Sequence, residues 1–363
     1  MHLRQLHLLN FRNYHEAELT FDKQVVVFTG HNGAGKTNLL DAIHYLSFCK
    51  SFLNPVDSQN IKENEGFFVI QGNFPDGERE ENIYCGIKRS QKKQFKRNGK
   101  EYERLADHIG LLPLVVISPS DISLIHDGSE ERRRFIDSVI SQYNKPYLNS
   151  LIHYNKLIQQ RNAYLRTGNA ASDMLDIWDE QLPGFAVPVY EARRIFFERI
   201  TTLFAHYYQF ISGESETVEL RYESQFHETS FPDLLRNSRE RDKVLQYTTT
   251  GIHKDDMAML VNGFPLRKYA SQGQQKSYLI ALKLAQFDII RDAREIKPLL
   301  LLDDIFEKLD QERITQLMTL VNQQHFGQIF ITDTHPERVA EILNRINCTF
   351  DHFTVENGTV RPV

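Results

Sequence analysis

The residues with the most definite chemistry are Gly30-His31-Asn32-Gly33-Ala34-Gly35-Lys36-Thr37. They match G-x-x-x-x-G-K-[ST] at every fixed position. Glycines in such a loop let the backbone curl so that amide N–H groups point at phosphate oxygens. A helix beginning at Lys36 would aim its positive dipole end at the same anion. The pattern predicts that Lys36 contacts the β- and γ-phosphates of ATP and that Thr37 holds Mg2+. A second set closes the run Leu299-Leu300-Leu301-Leu302-Asp303-Asp304. There an apolar strand carries acids to its C-terminal end. Asp303 is expected on Mg2+, and Asp304 is placed to orient or deprotonate an attacking water. A third set is Ser271-Gln272-Gly273-Gln274-Gln275, just ahead of a predicted helix over 277–291. It reads either as a helix N-terminus aimed at phosphate or as a plain Ser N-cap.

Those residues need strands and helices to position them. Gln24–Phe28 is a short β-branched run that reads as a buried strand leading into the glycine-rich loop. Leu39, Leu40, Ile43 and Leu46 recur at helical spacing after it. Residues 67–104 alternate and contain Asn98-Gly99, a strong hairpin signal, so an antiparallel sheet is expected. Residues 130–213 carry helical periodicity and many aromatics, with Pro183 and Pro188 expected to break or kink a helix. Strands return at 299–302 and 328–332. The predicted organisation is an ATPase lobe in two parts, 1–120 and 245–363, flanking a helical lobe, 121–244.

Composition narrows the partners. The chain has 363 residues, 41% hydrophobic and 25% charged, with a net charge of −5. That balance suits a globular protein and excludes a generally basic nucleic-acid coat, so any DNA contact must use a local basic surface. Residues 88–100 hold Lys92, Lys93, Lys96 and Arg97 without an acid. They read either as DNA-phosphate contacts or as a solvated basic hairpin. Arg132, Arg133 and Arg134 follow Glu130 and Glu131, which favours internal ion pairs. Cys49, Cys85 and Cys348 match no zinc spacing and suit a reducing compartment. The apolar runs are too short for a bilayer. A cytoplasmic location without a membrane partner is the expectation.

The order of glycine-rich loop, Ser271 segment, acidic strand and Glu307-Lys308-Leu309-Asp310 resembles ABC-type ATPases. Gln272 stands where a glycine is usual, and Asp310 falls in the D-loop place. In that superfamily the Ser271–Gln274 motif touches the γ-phosphate held by the opposite subunit. One loop and one such motif per chain then imply a symmetric homodimer with two nucleotides. Further segments resemble the RecF family. These are Asn10-Phe11-Arg12-Asn13-Tyr14, the set Pro119, Asp121, Gly128 and Glu131–Asp137, and Gly251–Asp256, in which Ile252 and Lys254 depart from the family pattern. The fourth is Leu302–Asp310, with departures at Glu307 and Lys308. The resemblance covers essentially the whole chain. It implies an α/β fold, an ABC-type P-loop ATPase head with a mixed sheet plus a helical second lobe. It also implies a weak, DNA-stimulated ATPase of DNA replication and recombinational repair that dimerises on ATP. Such a protein acts with RecR and RecO to help RecA load at single-strand gaps, and it supports the SOS response. By the same resemblance Arg12 lies near the phosphates, unless it is an ordinary strand-end arginine. Gln59 is a candidate for the Gln-containing loop, and the γ-phosphate sensor is Thr334 or His335.

Overall fold

The computed structural model describes residues 2–77, 79–168, 171–213, 216–307, 311–322 and 325–363. The chain opens with β1 (Gln5–Leu9), β2 (Glu16–Thr20), β3 (Val25–Thr29) and α1 (Lys36–Phe48). Strands β4 (Phe67–Asp76), β5 (Arg79–Lys88), β6 (Gln94–Arg97), β7 (Lys100–Glu101) and β8 (Leu114–Ile117) follow. The middle holds α2 (Ser123–His126), α3 (Ser129–Ser141), α4 (Lys145–Leu165), α5 (Ser172–Ser212), β9 (Val218–Glu223) and α6 (Phe231–Leu245). After these come β10 (Asp256–Val261), β11 (Phe264–Pro265), α7 (Leu266–Tyr269) and α8 (Gln272–Arg294). The remainder is β12 (Leu299–Leu302), α9 (Gln311–Asn322), β13 (Ile329–Asp333), α10 (Pro336–Arg345), β14 (Phe350–Glu356) and β15 (Thr359–Pro362).

Two compact units result: residues 1–121, 210–212 and 276–363 form one, and residues 122–209 and 213–275 the other. The first contains a six-stranded sheet in the order β15-β14-β3-β13-β12-β8, parallel except for β15. Its strands β3, β12 and β13 are buried at every position, as expected for a parallel sheet covered on both faces. A second sheet, β2-β1-β4-β5-β6-β7, is antiparallel throughout. Helix α1 shares one core with both sheets: Leu39, Leu46 and Tyr45 join Phe28, Phe330, Phe68 and Ile70. It is therefore buried nearly all round and only weakly amphipathic. The expected hairpin at Asn98-Gly99 joins β6 to β7, with both residues at positive φ.

The second unit is helical with a small sheet, β11-β10-β9. This corrects the expected boundary at 244/245. Residues 245–275 belong with the helical unit because β10 pairs along its whole length with β9. Pro183 and Pro188 do not end the helix they lie in; α5 runs through both. Leu182, Ala186 and Val189 are wholly buried beside them, so packing offsets the missing backbone bonds. Two arginines inside this unit are fully buried and paired. Arg161 reaches Asp179 (2.9 Å) and Asp242 (2.7 Å), and Arg193 reaches Asp137 and Asp255 (both 2.8 Å). The family-like segments 131–137 and 251–256 meet there. Arg132 binds Asp256 at 2.6 Å, and Arg133 donates to the Asp255 carbonyl at 2.7 Å. Those motif residues thus tie the unit together. Arg134 pairs with Glu130 and Glu131 at 2.5 Å, as the sequence suggested.

Candidate active site

The glycine-rich loop joins the C-terminal end of β3 to the N-terminus of α1. Three of its glycines have positive φ: Gly30 at 154°, Gly33 at 80° and Gly35 at 117°. At Gly35 a Cβ would lie 2.4 Å from Asn13 Nδ2, and at Gly30 it would lie 2.2 Å from the Val355 carbonyl oxygen. The loop is therefore clamped as well as bent. Asn13 Nδ2 donates to the Ala34 carbonyl (2.8 Å) and Tyr14 OH to the Gly35 carbonyl (2.9 Å). Gly358 N, in the turn between β14 and β15, also donates to Ala34 O (3.2 Å). The N-terminus of α1 has no side-chain cap and no acid in its first turn. Its amides and dipole are thus left for an anion.

Lys36 is buried, and its Nζ donates to the carbonyls of Gly30 (2.8 Å) and His31 (3.2 Å). Thr37 Oγ1 donates to Asp303 Oδ1 at 2.8 Å, joining the first turn of α1 to the end of β12. Strand β13 lies between β3 and β12 and contributes Thr332, whose hydroxyl donates to the same carboxylate oxygen at 2.8 Å. That hydroxyl also accepts from Asp304 N at 2.9 Å, fixing Asp304 at φ 45°. Non-glycine residues at such φ values concentrate at functional sites. Burial pushes the Asp303 carboxyl up, against the Thr332 and Thr37 hydroxyls and the Lys36 ammonium, which lower it. The Thr37 and Asp303 oxygens fit a magnesium ion: adjacent ligands of an octahedron with ~2.05 Å bonds lie about 2.9 Å apart. No cluster of three or more His, Cys, Asp or Glu suited to a metal occurs among the described residues. Magnesium held by one or two protein oxygens, waters and substrate phosphates needs none.

Thr332 was missed from sequence, although a polar residue ending an apolar strand was its signal. Past β13, Thr334 Oγ1 and His335 Nδ1 lie 2.8 Å apart, and Asp333 accepts from His335 N and from Arg338 (both 2.7 Å). Both sensor candidates therefore stand at the end of the strand next to β3. Arg12 is held by Asp41 of α1 (2.9 Å) and Ser51 (3.0 Å). Its charge braces the middle of α1, one turn past Thr37. Gln59 sits in the turn 57–60 and accepts from Asn54 at 2.8 Å. Ser271 caps α8 in the second unit, and the helix starts a turn earlier than expected. Ser271 Oγ accepts from Gln274 N (3.2 Å) while Gln274 Oε1 accepts from Ser271 N (2.6 Å), a capping box that encloses Gln272 and Gly273. The D-loop candidate Asp310 lies outside the described residues.

Of the four basic DNA candidates, two have internal partners. Lys93 is largely buried, 2.8 Å from Asp57 and 2.6 Å from the Cys49 carbonyl. Arg97 is paired with Glu81 at 2.5 Å. Lys92 is exposed, and Lys96 lies over the Tyr84 ring, 5.4 Å from its centroid.

The model of the RecF/RecN/SMC N-terminal domain matches residues 2–359. DNA replication and repair protein RecF of Parabacteroides distasonis is 50% identical over 363 residues, with both chains fully covered. The chain belongs to the RecF family. A solved structure of the recombination mediator protein RecF with ATP, from the RecFOR pathway, superposes with a TM-score of 0.89 at 29% identity, covering 99% of this chain and 97% of that one. The RecF fold is an ABC-type ATPase head of mixed sheets plus helices, and this chain has it. An Smc head bound to the C-terminal winged-helix domain of ScpA shares the fold at TM-score 0.60 and 16% identity, covering 100% and 97% of the two chains. Among the described residues no helix is long and apolar enough to cross a membrane.

Proposed function

We infer that this RecF-family chain is an ATP-dependent DNA-binding protein of replication and recombinational repair, which dimerises on ATP and hydrolyses it slowly. The observation that carries the reading is the 2.8 Å link between Thr37 and Asp303, set beside an uncapped helix N-terminus. Gly30, His31, Asn32, Gly33, Ala34 and Gly35 form the phosphate loop, its Gly30 amide held by the Asp333 carbonyl and its Ala34 amide by the His31 carbonyl, and Lys36 moves from its loop carbonyls to the phosphates. Thr37 and Asp303 would hold Mg2+, which would supply charge neutralisation to the bound phosphates. Asp304, locked by Thr332, is the group placed to accept a proton from water. Ser271, Gln272, Gly273 and Gln274 of one copy complete the other copy's site, and Asp310 belongs to the same contact. Loss of the γ-phosphate then opens the dimer. Relatives named for DNA replication and repair, and solved structures of a recombination mediator in the RecFOR pathway, support a role with recombination mediators; the partners we infer are gapped or single-stranded DNA, RecR and RecO, and through them RecA and the SOS response.

The test is Lys36→Met analysed by gel filtration and scattering with and without ATP. The wild type is expected to double in mass with ATP and the variant to stay single; a variant that dimerises normally refutes the clamp. A second reading, an ATP-switched protein scaffold, is favoured by the net charge of −5 and by the internal pairing of Lys93 and Arg97. DNA binding that ignores both salt and ATP would select it.

A further inference from the structure

The open face of the antiparallel sheet in the first unit has no partner in the nucleotide chemistry. Phe68, Ile70 and Phe74 of β4 point inward and are buried, so their neighbours face out. Register places Glu18, His7, Gln71, Tyr84 and Lys96 in one row across five strands. In the next row outward along β5, Gly86 stands between Val69 and Gln94. A Cβ at Gly86 would lie 2.6 Å from Tyr84 OH, so the Tyr84 ring lies along the sheet over that glycine. Phe67, 39% exposed, and Lys88 form the following cross-strand pair. Two hollows flank Tyr84, of about 520 Å³ on the Gln71–Asn82 side and about 260 Å³ on the Phe67–Lys92 side.

An aromatic ring laid flat on an open sheet, with side-chain amides and lysines lining the hollows on both sides of it, is suited to unpaired bases. Every base has a π-face to stack, amides match base edges, and ammonium groups match the backbone. We propose that this face binds a single-stranded DNA segment, with a base stacked at Tyr84, a second near Phe67, and phosphates at Lys88, Lys92 and Lys96. The strand runs along β5, where Tyr84 and Lys88 are about 13 Å apart. Lys96, already over the Tyr84 ring, is within reach of the phosphate of a base stacked there. The proposal rests on the DNA-binding part of the function above and not on the ATP clamp.

The full-length protein is titrated with a fluorescein-labelled oligo-dT, with ATP, with ADP and without nucleotide, over a salt series; ATP-dependent dimerisation is followed in parallel. Tyr84→Ala is expected to weaken binding about tenfold, the loss of one stacked base. The triple variant Lys88→Gln, Lys92→Gln, Lys96→Gln is expected to flatten the log–log salt slope by about 2, at about 0.7 for each lysine. Dimerisation with ATP should be unchanged in both. Wild-type affinity and slope retained by both variants would overturn the assignment, and so would equal losses on a duplex of the same length. A wild type that binds no DNA in any nucleotide state would sink the DNA reading as well.

Discussion

Replacing Arg12 by alanine separates a brace from a nucleotide contact. The guanidinium lies 2.9 Å from Asp41, whose side chain is fully buried, while 18% of the arginine side chain is exposed. Charges about 4 Å apart at an effective dielectric near 20 attract by about 4 kcal/mol. Partial exposure of Arg12 brings the expected loss to about 2–3 kcal/mol, because water screens part of the field. For a unit of this size that lowers Tm by roughly 5–10 °C. Burial already raises the Asp41 carboxyl, and Arg12 is the first of the groups that oppose it. Without Arg12 the folded state holds a proton more strongly than the unfolded state does. The variant's deficit should therefore be largest at pH 7–8 and shrink as the pH falls toward the ordinary aspartate range. Thermal unfolding of the wild type, Arg12→Ala, Asp41→Asn and the double variant from pH 5 to 8 measures it. The double variant should be more stable than Arg12→Ala at pH 8. A wild-type Tm for Arg12→Ala, combined with lost ATP binding, would refute the brace and return Arg12 to the phosphates.

Asp303→Asn should keep nucleotide binding within a few-fold and lower ATP turnover at least about a hundredfold, measured by phosphate release. Ser271→Ala removes the α8 cap and should cost about 1 kcal/mol of stability. If the motif works across subunits, the same change should also weaken ATP-dependent dimerisation, read by gel filtration. His253 is buried, with Nδ1 2.7 Å from Tyr154 OH and Nε2 3.0 Å from the Thr248 carbonyl, and its pKa is lowered from 6.5 to about 4, chiefly by burial. The unfolded chain takes up the proton first, so this contribution is intact above pH 6.5 and is lost as pH falls toward 4. It amounts to about 3 kcal/mol, and denaturant titrations of His253→Gln should show a correspondingly shallower acid limb.

What was legible in the sequence was local. The glycine spacing and the apolar runs at 25–28 and 299–302 are short-range signals, and they located the loop, α1 and both acids that follow β12. The 245–275 segment was misplaced because its allegiance depends on β9–β10 pairing, which no local pattern reports. Lys93 and Arg97 looked like surface charge because their partners lie on other elements, Asp57 in the turn 57–60 and Glu81 on the neighbouring strand β5. Asn13 and Tyr14 were visible as a family-like segment, but their grip on the Ala34 and Gly35 carbonyls needed three dimensions. Ser271 was open between two readings. The hydrogen bonds with Gln274 show the cap.

The clasp on Ala34 and Gly35 has a bearing on biosynthesis. Part of it comes from residues 13 and 14, translated just before the loop, but part comes from Gly358, translated long afterwards. Strand β14, which flanks β3, arrives equally late. A ribosome-bound chain carrying only its N-terminal half therefore has the loop's letters without its finished shape. Competence to hold a nucleotide should appear only after residue 358 has been made and has reached the loop.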